Sequence, residues 1–258
     1  MSGDTRPRVA VVTGAGSGIG KAFAELWLER HGPVVGLDLE PERVAWLQGP
    51  DRAGMVGDVT RAADNEALVA LAEERFGRVD TLVLSAGVSA WGSIEELDLA
   101  VFDRLMEINV RAAVLGIRAA APALRRAGGG SIVGISSSSG AAGEADHWAY
   151  CTSKAAVSNL MRSAALDLAR DGIRVNVVAP GPTHTDLTRP IREADPAKYE
   201  ALRSALPLQR WGEQEELAEA VAFLAAPASS FITATVLPVD GGVSGRTAQL
   251  APPQVPPA

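Results

Sequence analysis

Short runs of β-branched residues alternate along the chain with longer stretches whose apolar residues recur every three or four positions. This alternation is typical of βαβ units and of a parallel sheet that helices cover on both faces. The short runs predict seven strands, at residues 9–12, 34–38, 54–56, 81–84, 131–136, 174–178 and 235–238. The longer stretches predict helices at residues 19–29, 63–76, 102–127, 149–170 and 214–224. We therefore expect an α/β fold with a doubly wound parallel sheet of about seven strands.

Two segments fall outside this alternation. Residues 182–206 carry Pro190, Pro196 and mixed charges between two predicted elements. They form either an insertion that covers a site as a lid or a solvated surface loop with a helical piece. Residues 251–258 contain four prolines, which disfavour a helix or a central strand and predict a disordered tail. The remaining residues, 1–250, are expected to form a single domain.

Composition and charge narrow the classes of function. A chain of 258 residues with 47% hydrophobic residues can bury one sizeable core. The net charge of −7 argues against a nucleic-acid partner, which would require a clustered Lys/Arg surface. Cys151 is the single cysteine, so neither an intrachain disulfide nor a cysteine metal site is expected. His31, His147 and His184 lack the spacing of a zinc motif, and no metal is predicted.

One stretch is long enough to be tested as a membrane span. Residues 220–239 carry no charge, and about 20 apolar residues are needed to cross a bilayer. Two prolines and several serines and threonines interrupt the stretch, which therefore reads better as a helix end, a loop and a strand. Residues 1–8 contain no apolar segment of the kind found in export signals. We expect a cytoplasmic protein with no membrane partner.

A glycine-rich turn follows the first predicted strand directly. Residues 13–20 read Thr-Gly-Ala-Gly-Ser-Gly-Ile-Gly, and a predicted helix begins within them. Glycines permit a tight turn, and the open N–H groups of a helix N-terminus favour a pyrophosphate. A flexible loop is the alternative, but the strand-turn-helix context favours a dinucleotide site. The predicted contacts are Gly14, Ser17, Gly18, Ile19 and Gly20.

Asp38 ends the second predicted strand, 18 residues after Gly20. A carboxylate at this point can accept hydrogen bonds from the adenosine ribose hydroxyls, and it repels a 2′-phosphate. Neither Ser17 nor Leu39 supplies the positive charge that would favour NADP, so NAD is the predicted cofactor. A solvated or capping aspartate is the alternative interpretation.

Two further turns come at the ends of predicted strands, where ligands meet an open α/β sheet. In residues 57–60, Asp58 is a candidate partner of the adenine amino group, and Val59 follows it. Asp58 could instead cap the helix that starts near Ala63, although Thr60 is better placed for capping. The second turn supplies Ser85, Ala86 and Gly87.

The candidate chemistry lies further along the chain. Residues 136–139 are four serines after a predicted strand, and at least one hydroxyl should reach the ligand edge of the sheet. Tyr150 and Lys154 are four residues apart on a predicted helix and therefore lie on one face. Serine runs are also common in turns, and an isolated Tyr-Lys pair is also common on helix surfaces.

The pKa of a tyrosine decides whether such a group can act as a base. A free phenol has a pKa near 10, and lowering it toward 7 requires about 4 kcal/mol of preferential phenolate stabilisation. An adjacent ammonium and a positive nicotinamide ring could supply that away from water. Tyr150 would then act as acid or base for an alcohol/ketone pair. Ser137 would hold the substrate oxygen, while Lys154 would lower the tyrosine pKa and bond the nicotinamide ribose.

These motifs together resemble the classical short-chain dehydrogenase/reductase family over residues 9–242. The family pattern Thr-Gly-x-x-x-Gly-x-Gly matches residues 13–20, and Tyr-x-x-x-Lys matches residues 150–154. The resemblance implies a single NAD-binding Rossmann-type catalytic domain, with Ser137 as the catalytic serine. It also implies a role for Asn109, whose backbone in the family holds a water that links the lysine to solvent. A helix-surface asparagine is the alternative.

The resemblance extends to the segment after the sixth predicted strand. Family members use it to hold the nicotinamide carboxamide, which implies contacts from Pro180, Gly181, Thr183 and Thr185. Two positions depart from the family pattern. Thr183 stands where valine or isoleucine is usual, and residues 84–87 read Leu-Ser-Ala-Gly where Asn-Asn-Ala-Gly is frequent.

The sequence says less about the substrate than about the cofactor or the chemistry. Six candidate contacts fall in segments that line the substrate pocket in similar proteins: Trp91, Ser139, Glu144, His147, Trp148 and His184. Aromatic walls are common in such pockets. Glu144 and His147 could bond polar groups of a substrate, yet each could equally be a surface residue.

Three classes of function remain for comparison. The leading one is an NAD-dependent dehydrogenase for a secondary alcohol or ketone, which the resemblance implies is a homotetramer or a homodimer. A second is an NAD-sensing binding protein that performs no chemistry. A third, a serine hydrolase, would need Gly-x-Ser-x-Gly, whereas residues 134–138 read Gly-Ile-Ser-Ser-Ser.

Overall fold

The five central strands of the main sheet form the centre of the molecule, and nearly all of their residues are buried. The structure is a computed structural model and describes residues 6–247. Its strands are β1 Ala10–Thr13, β2 Val34–Asp38, β3 Gln48–Gly49, β4 Arg52–Val56, β5 Thr81–Leu84, β6 Gly130–Ile135, β7 Ile173–Pro180, β8 Thr183–His184, β9 Gly212–Glu213 and β10 Val236–Val239. Its helices are α1 Gly18–Arg30, α2 Pro41–Val44, α3 Ala62–Phe76, α4 Leu99–Met106, α5 Ala112–Arg126, α6 Trp148–Leu168, α7 Arg189–Ala194, α8 Pro196–Ala205 and α9 Gln214–Ala225.

The main sheet has eight strands in the order β10-β7-β6-β5-β1-β2-β4-β3. All neighbouring pairs are parallel except β3 and β4, which are antiparallel. From β1 the chain builds one half of the sheet outward through β2 and β4, and then returns to build the other half from β5. The strand order therefore reverses beside β1, where ligands bind in open α/β sheets, outside the carboxyl ends of the strands.

Helices cover both faces of this sheet, as the hydrophobic pattern predicts. On one face α3, α5 and α6 pack their apolar residues against the strands, with Leu68, Leu124 and Met161 fully buried. On the other face α1 and α9 do the same, with Phe23 and Trp27 at the centre. The α/β fold, the Rossmann-like doubly wound sheet and its two helical layers are confirmed.

The structure differs from the predicted elements in four details. The sheet has an eighth strand, β3, whose two residues are too short for a hydrophobic pattern to reveal. The helix predicted at residues 102–127 begins earlier, where the Asp98 carboxylate accepts a hydrogen bond from the Ala100 N–H. It is also divided, because a π-helical turn at Glu107–Arg111 separates α4 from α5. Finally, α2 carries too few residues to show a helical period.

Residues 182–206 are mostly helical. They contain β8, α7 and α8, and β8 pairs in parallel with β9 to form a separate two-stranded sheet. Leu187, Ile191 and Leu202 from this segment line the main cavity, so the segment covers it. Its role as an insertion for substrate stays a prediction. The tail at residues 251–258 lies outside the described residues.

The uncharged stretch 220–239 divides as its sequence predicts, into the end of α9, a turn and β10. Across residues 6–247, none of the helices is both long enough and apolar enough to span a bilayer.

Candidate active site

A cavity of about 660 Å³ opens at the carboxyl ends of the central strands. The glycine turn, the ends of β2 and β5, the serines after β6, the start of α6 and the helical cover all contribute to its wall. Most predicted cofactor contacts line it: Gly14, Ser17, Gly18, Ile19, Asp38, Asp58, Val59, Ser85, Ala86, Gly87, Tyr150, Lys154, Pro180, Gly181, Thr183 and Thr185. Four predicted substrate contacts line it as well: Trp91, Ser139, Glu144 and His147.

Three glycines of the turn, Gly14, Gly16 and Gly20, have no room for a side chain. Gly14 has φ of 67°, in the left-handed region that favours glycine. A Cβ at Gly20 would lie 2.3 Å from the Gly14 carbonyl oxygen, so Gly20 supports the turn from behind and does not line the cavity. Ser17 is the N-cap residue of α1, and its side chain makes no capping hydrogen bond. The turn thus presents a helix N-terminus to the cavity, which suits a pyrophosphate.

Asp38 fastens this turn to the end of β2. One carboxylate oxygen accepts a hydrogen bond from the Gly16 N–H at 3.0 Å, and the other accepts one from the Leu39 N–H at 2.8 Å. The carboxylate therefore has a fixed orientation at the cavity wall, and its remaining lone pairs are available to a ligand. This position fits the predicted contact with ribose hydroxyls.

A positive charge near this point escaped the sequence analysis. Arg43, on α2, donates a hydrogen bond from Nη1 to Ser17 Oγ at 2.9 Å and lines the cavity. It also forms ion pairs with Glu40 and Asp186. The sequence expectation considered only Ser17 and Leu39 as possible places for a cation, so it overlooked this guanidinium. No local pattern marks Arg43, because α2 is a single turn.

Asp58 lines the cavity, but its local partner differs from the prediction. Its Oδ1 accepts hydrogen bonds from both the backbone N–H and the hydroxyl of Thr60. The expectation that Thr60 is the better cap for the following helix is wrong, because Arg61 is the N-cap residue of α3 and no side chain caps it. The Thr60 hydroxyl is already committed to Asp58.

Tyr150 and Lys154 lie on one face of α6, as their spacing predicts, and both are buried. The Lys154 Nζ donates a hydrogen bond to the Ile135 carbonyl oxygen at 3.0 Å and lies 5.5 Å from the centre of the Tyr150 ring. Burial lowers the pKa of Lys154 to about 8.

The pKa of Tyr150 is raised in the protein alone, whereas the lowered pKa predicted from the sequence refers to the site with a nicotinamide bound. Burial raises it to about 12, and the negative charge of Glu144 acts in the same direction. A hydrogen bond with Ser137 works against this rise without cancelling it. In the protein alone, desolvation of the phenolate therefore outweighs the stabilisation that the Ser137 hydrogen bond supplies.

The serines after β6 divide into two kinds. The Ser136 hydroxyl points into the core, where it donates to the Lys154 carbonyl oxygen and contacts Ser158 Oγ. The Ser137 hydroxyl contacts Tyr150 and accepts a hydrogen bond from the Ser139 N–H. Ser137 is therefore the serine whose hydroxyl contacts the tyrosine at the cavity wall.

Asn109 lies behind the cavity wall, inside the π-helical turn. Its Oδ1 accepts a hydrogen bond from the Val88 N–H, and its Nδ2 donates to the Val88 carbonyl oxygen and to Ser153 Oγ, all at 2.9 Å. The side chain thus ties the loop after β5 to α6. Asn109 and Lys154 flank Gly87, since a Cβ there would lie 3.3 Å from Asn109 Oδ1 and from Lys154 Nζ.

An aromatic column forms the wall next to Tyr150. The imidazole of His147 stacks on the Trp91 ring, with centroids 3.7 Å apart and planes 7° apart. It also stacks on the Tyr150 ring, at 4.6 Å and 12°. The Lys198 Nζ, on α8, lies 3.1 Å from the centre of the Trp91 ring. The column therefore connects the helical cover to the catalytic tyrosine candidate.

A hydrogen-bonded chain runs beside this column. Ser139 Oγ donates to Glu144 Oε1, and His147 Nδ1 lies 3.0 Å from Glu144 Oε2. His147 Nε2 lies 2.9 Å from Ser89 Oγ. A carboxylate only accepts, so Nδ1 carries the proton and Nε2 accepts from Ser89 in the neutral ring.

Two predicted substrate contacts do not reach the cavity. The Trp148 ring packs on Phe102, and its Nε1 donates to the Ser93 carbonyl oxygen. His184 contacts Glu213 and Tyr199, outside the cavity wall. Both are held by neighbours that the sequence pattern does not reveal.

The segment after β7 lines the cavity, and its contacts with a nicotinamide carboxamide stay a prediction. Thr183 Oγ1 donates to the Gly181 carbonyl oxygen, and the Thr185 N–H donates to Thr188 Oγ1. Ser89 and Lys198 also line the cavity, and neither was singled out from the sequence.

The residues present fit a nicotinamide dinucleotide. The glycine turn is a cradle that Cβ atoms would fill, Asp38 is fixed at its far side, and the cavity continues from there to Tyr150. Within residues 6–247, no group of three or more His, Cys, Asp or Glu side chains is placed to hold a metal ion.

Comparison with known proteins identifies the family. Residues 14–244 match the family model described as enoyl-(acyl carrier protein) reductase. An uncharacterized oxidoreductase of Thermotoga maritima is 38% identical over 244 residues, which cover 91% of this chain and 96% of that protein. The cis-4-hydroxycyclohexanecarboxylate dehydrogenase of Sinomonas cyclohexanicum is 41% identical over 242 residues, which cover 91% of this chain and 96% of that protein.

A solved structure agrees with these matches. The ligand-free aldohexose dehydrogenase of Thermoplasma acidophilum has a TM-score of 0.86 and 34% identity, and the alignment covers 97% of this chain and 99% of that one. The chain belongs to the classical short-chain dehydrogenase/reductase family. It is an oxidoreductase of that family, and the family implies a nicotinamide cofactor.

Proposed function

We propose that this protein is an NAD-dependent oxidoreductase that interconverts a secondary alcohol and a ketone, with Tyr150 as the general acid and base. The observation that carries the proposal is the meeting of Ser137, Tyr150 and Lys154 in one cavity. The same cavity holds the glycine turn and Asp38 at its other end. A proton-transfer group and a dinucleotide cradle thus share one space, as hydride transfer to or from a carbinol carbon requires.

Each side chain has a distinct task in the proposal. A bound nicotinamide supplies the acceptor or donor of hydride. Ser137 Oγ holds the substrate oxygen, and Tyr150 takes the hydroxyl proton during oxidation or gives it during reduction. Lys154 bonds the nicotinamide ribose and passes protons onward. Asn109, fixed by Val88 and Ser153, would hold by its backbone a water that connects Lys154 with solvent.

The raised pKa of Tyr150 determines how much the phenolate must be stabilised before Tyr150 can act as a base. Moving it from about 12 to near 7 requires about 7 kcal/mol of preferential phenolate stabilisation. The Lys154 ammonium and the positive charge of an oxidised nicotinamide ring would both act in that direction inside a site shielded from water. We infer that Tyr150 becomes a base only when the cofactor is bound.

The preference for NAD rests on Asp38. Its carboxylate is held by two backbone N–H groups and faces the cavity, where it would accept from ribose hydroxyls and repel a 2′-phosphate. Arg43 opposes this preference, but its charge is partly neutralised by Glu40 and Asp186. NADP is therefore the weaker cofactor in this proposal.

The names of the relatives support an alcohol substrate. The Sinomonas relative is named for a ring-borne secondary alcohol, and the Thermoplasma structure is named for an aldohexose.

We also propose a cytoplasmic homotetramer, with a homodimer as the smaller alternative. Light scattering of the purified protein measures the assembly directly.

The test of the reaction is NADH formation from NAD with a panel of secondary alcohols. We expect turnover by the wild type and a loss of about 1,000-fold in kcat for Tyr150→Phe, with cofactor affinity unchanged. Tyr199→Phe is the matched control, because it removes the hydroxyl of a tyrosine outside the cavity wall. Turnover that survives Tyr150→Phe would refute the assigned mechanism. Cofactor binding without turnover of any alcohol would favour an NAD-sensing protein.

A further inference from the structure

The Glu144 carboxylate faces the cavity beside Tyr150, and the proposed mechanism gives it no task. Both of its oxygens are held from behind, one by Ser139 and the other by His147. His147 is itself fixed by stacking between Trp91 and Tyr150 and by its bond with Ser89. These contacts restrict the side-chain conformation of Glu144, so the protein itself fixes the position of this carboxylate relative to Tyr150.

This carboxylate is built to stay ionised. The hydrogen bond from His147 holds its pKa below the ordinary value, Ser139 acts in the same direction, and burial opposes them without prevailing. Its side chain keeps 40% exposure and lines the cavity. An ionised carboxylate has about four acceptor sites and no donor, so the two lone-pair sites left over can accept hydrogen bonds from donors on a ligand.

The positive charge of the neighbouring Lys198 limits which substrate group can donate a hydrogen bond to Glu144. Its ammonium lies over Trp91 and lowers the Glu144 pKa, so the two charges lie on the same part of the wall. A substrate ammonium would meet the repulsion of Lys198, and a substrate carboxylate would meet that of Glu144. An uncharged hydroxyl satisfies the free lone pairs without either cost.

We propose that Glu144 is a specificity-determining residue that accepts a hydrogen bond from a second hydroxyl of the substrate, so that the substrate class is a diol or polyol. This inference rests on the proposed function, since the first hydroxyl is the one that Ser137 and Tyr150 handle. The second hydroxyl keeps its proton and its oxidation state. Oxidation therefore yields a hydroxyketone, and the hydride and proton leave from the first carbinol alone.

The experiment compares matched substrates on the enzyme with NAD. Cyclohexane-1,2-diol, -1,3-diol and -1,4-diol are set against cyclohexanol, which lacks only the second hydroxyl. We expect the best diol to exceed cyclohexanol in kcat/KM by about tenfold or more, because a hydrogen bond to a charged acceptor contributes that much. A 2-aminocyclohexanol and a 3-hydroxycyclohexanecarboxylate test the two charged alternatives.

Three variants separate specificity from architecture. Glu144→Ala is expected to lower the ratio of kcat/KM for the diol to kcat/KM for cyclohexanol by about tenfold, whatever the loss of its contact with His147 does to both rates. Glu144→Gln keeps one acceptor oxygen without the charge, and its kcat/KM for the diol is expected to lie between the values of the wild type and Glu144→Ala. Glu95→Gln is the control, because Glu95 is an exposed carboxylate outside the cavity wall.

A structural role for Glu144 would give a different result. If Glu144 acts only by holding His147 and thereby Tyr150, its loss lowers the diol and cyclohexanol rates equally, and the inference is overturned. A preference for the amino alcohol or the hydroxy acid over every diol overturns it as well. In both cases the proposed function stands, because an alcohol is still oxidised.

Binding provides a second readout that does not depend on turnover. Calorimetry of the best diol against the protein saturated with NADH is expected to show affinity that Glu144→Ala weakens by about tenfold and Glu95→Gln leaves unchanged. Diol binding with this dependence, but no oxidation of any alcohol, would sink the proposed function while supporting the specificity of the site. Equal affinity for diol and cyclohexanol overturns the inference itself.

Discussion

The imidazole of His147 lies nearly parallel to the phenol ring of Tyr150, with centroids 4.6 Å apart and planes 12° apart. The opposite contact of His147 is with Trp91, and its two nitrogens are held by Glu144 and Ser89. His147 therefore holds the phenol ring in place by stacking on its face, and it makes no hydrogen bond to the reacting oxygen. It is a positioning residue.

We predict that His147→Ala lowers kcat by about tenfold, because a misplaced acid/base group is a costly error in proton transfer. NADH affinity should stay within about twofold, since the dinucleotide cradle lies at the other end of the cavity. His147→Phe keeps a flat ring between Trp91 and Tyr150 and should recover most of kcat.

The control for this prediction is His31→Ala. His31 packs against Trp27 with its ring tilted, centroids 4.4 Å apart, outside the cavity wall. Steady-state kinetics on all three variants provide the comparison. An equal loss of kcat in His147→Phe and His147→Ala would show that hydrogen bonding to Glu144 or Ser89, and not the stack, is what Tyr150 needs.

Burial of Lys154 predicts a gain in stability when its charge is removed. Its pKa falls from 10.5 to about 8, which corresponds to about 3 kcal/mol against the charged form. Loss of its bond to Ile135 costs about 1 kcal/mol in return. We predict that Lys154→Met raises the free energy of unfolding by about 1–2 kcal/mol and abolishes turnover.

The stability gained by Lys154→Met depends on pH. Between about pH 8 and 10.5 the unfolded chain binds more protons at this residue than the folded chain does, so wild-type stability rises with pH there. The penalty on the wild type is complete below about pH 8, and the advantage of Lys154→Met should shrink toward pH 10.5. Urea unfolding at pH 7 and pH 9.5 measures it, with exposed Lys21→Met as the control. A destabilised Lys154→Met at pH 7 would contradict the argument.

Local patterns predicted the architecture and the centre of the site. Buried strands such as β1 and β5 are continuous apolar runs, and Tyr150 and Lys154 share a helix face through their spacing alone. The glycine turn is readable for the same reason, because its strand, turn and helix are adjacent in sequence. Such features depend on neighbours along the chain, which the sequence displays directly.

Tertiary contacts were beyond the reach of these patterns. Lys198 meets Trp91 across 107 positions of sequence (198−91), and nothing near either residue indicates it. Arg43 reaches Ser17 from a one-turn helix without a period. The burial that raises the pKa of Tyr150 in the protein alone was not foreseen either, because desolvation of the phenolate depends on packing, which spacing does not report.

Asn109 makes a prediction about stability as well as activity. Its amide satisfies both the N–H and the carbonyl of Val88 and bonds Ser153, so Asn109→Ala leaves buried polar groups without partners. We predict a loss of about 2–4 kcal/mol in the free energy of unfolding, together with a lower kcat. Urea unfolding provides the measurement. Asn159→Ala, at an exposed position of α6, should change stability by less than about 0.5 kcal/mol.

Asp38 and Arg43 together predict how the cofactor preference can be changed. Asp38→Asn keeps an acceptor for the Gly16 N–H but removes the negative charge that opposes a 2′-phosphate. We predict that this variant raises the ratio of kcat/KM for NADP to that for NAD by about 10- to 100-fold, because the Arg43 cation beside Ser17 is then no longer opposed by the Asp38 carboxylate.

The second substitution shows whether Arg43 is responsible. Arg43→Met alone should change the ratio little, since Asp38 still repels the phosphate, whereas Arg43→Met in the Asp38→Asn background should remove most of the gain. The four proteins form a double-mutant cycle, measured by initial rates with each cofactor at saturating alcohol. If Asp38→Asn leaves the ratio unchanged, Asp38 does not recognise the ribose, and the two cofactors are told apart elsewhere in the cavity.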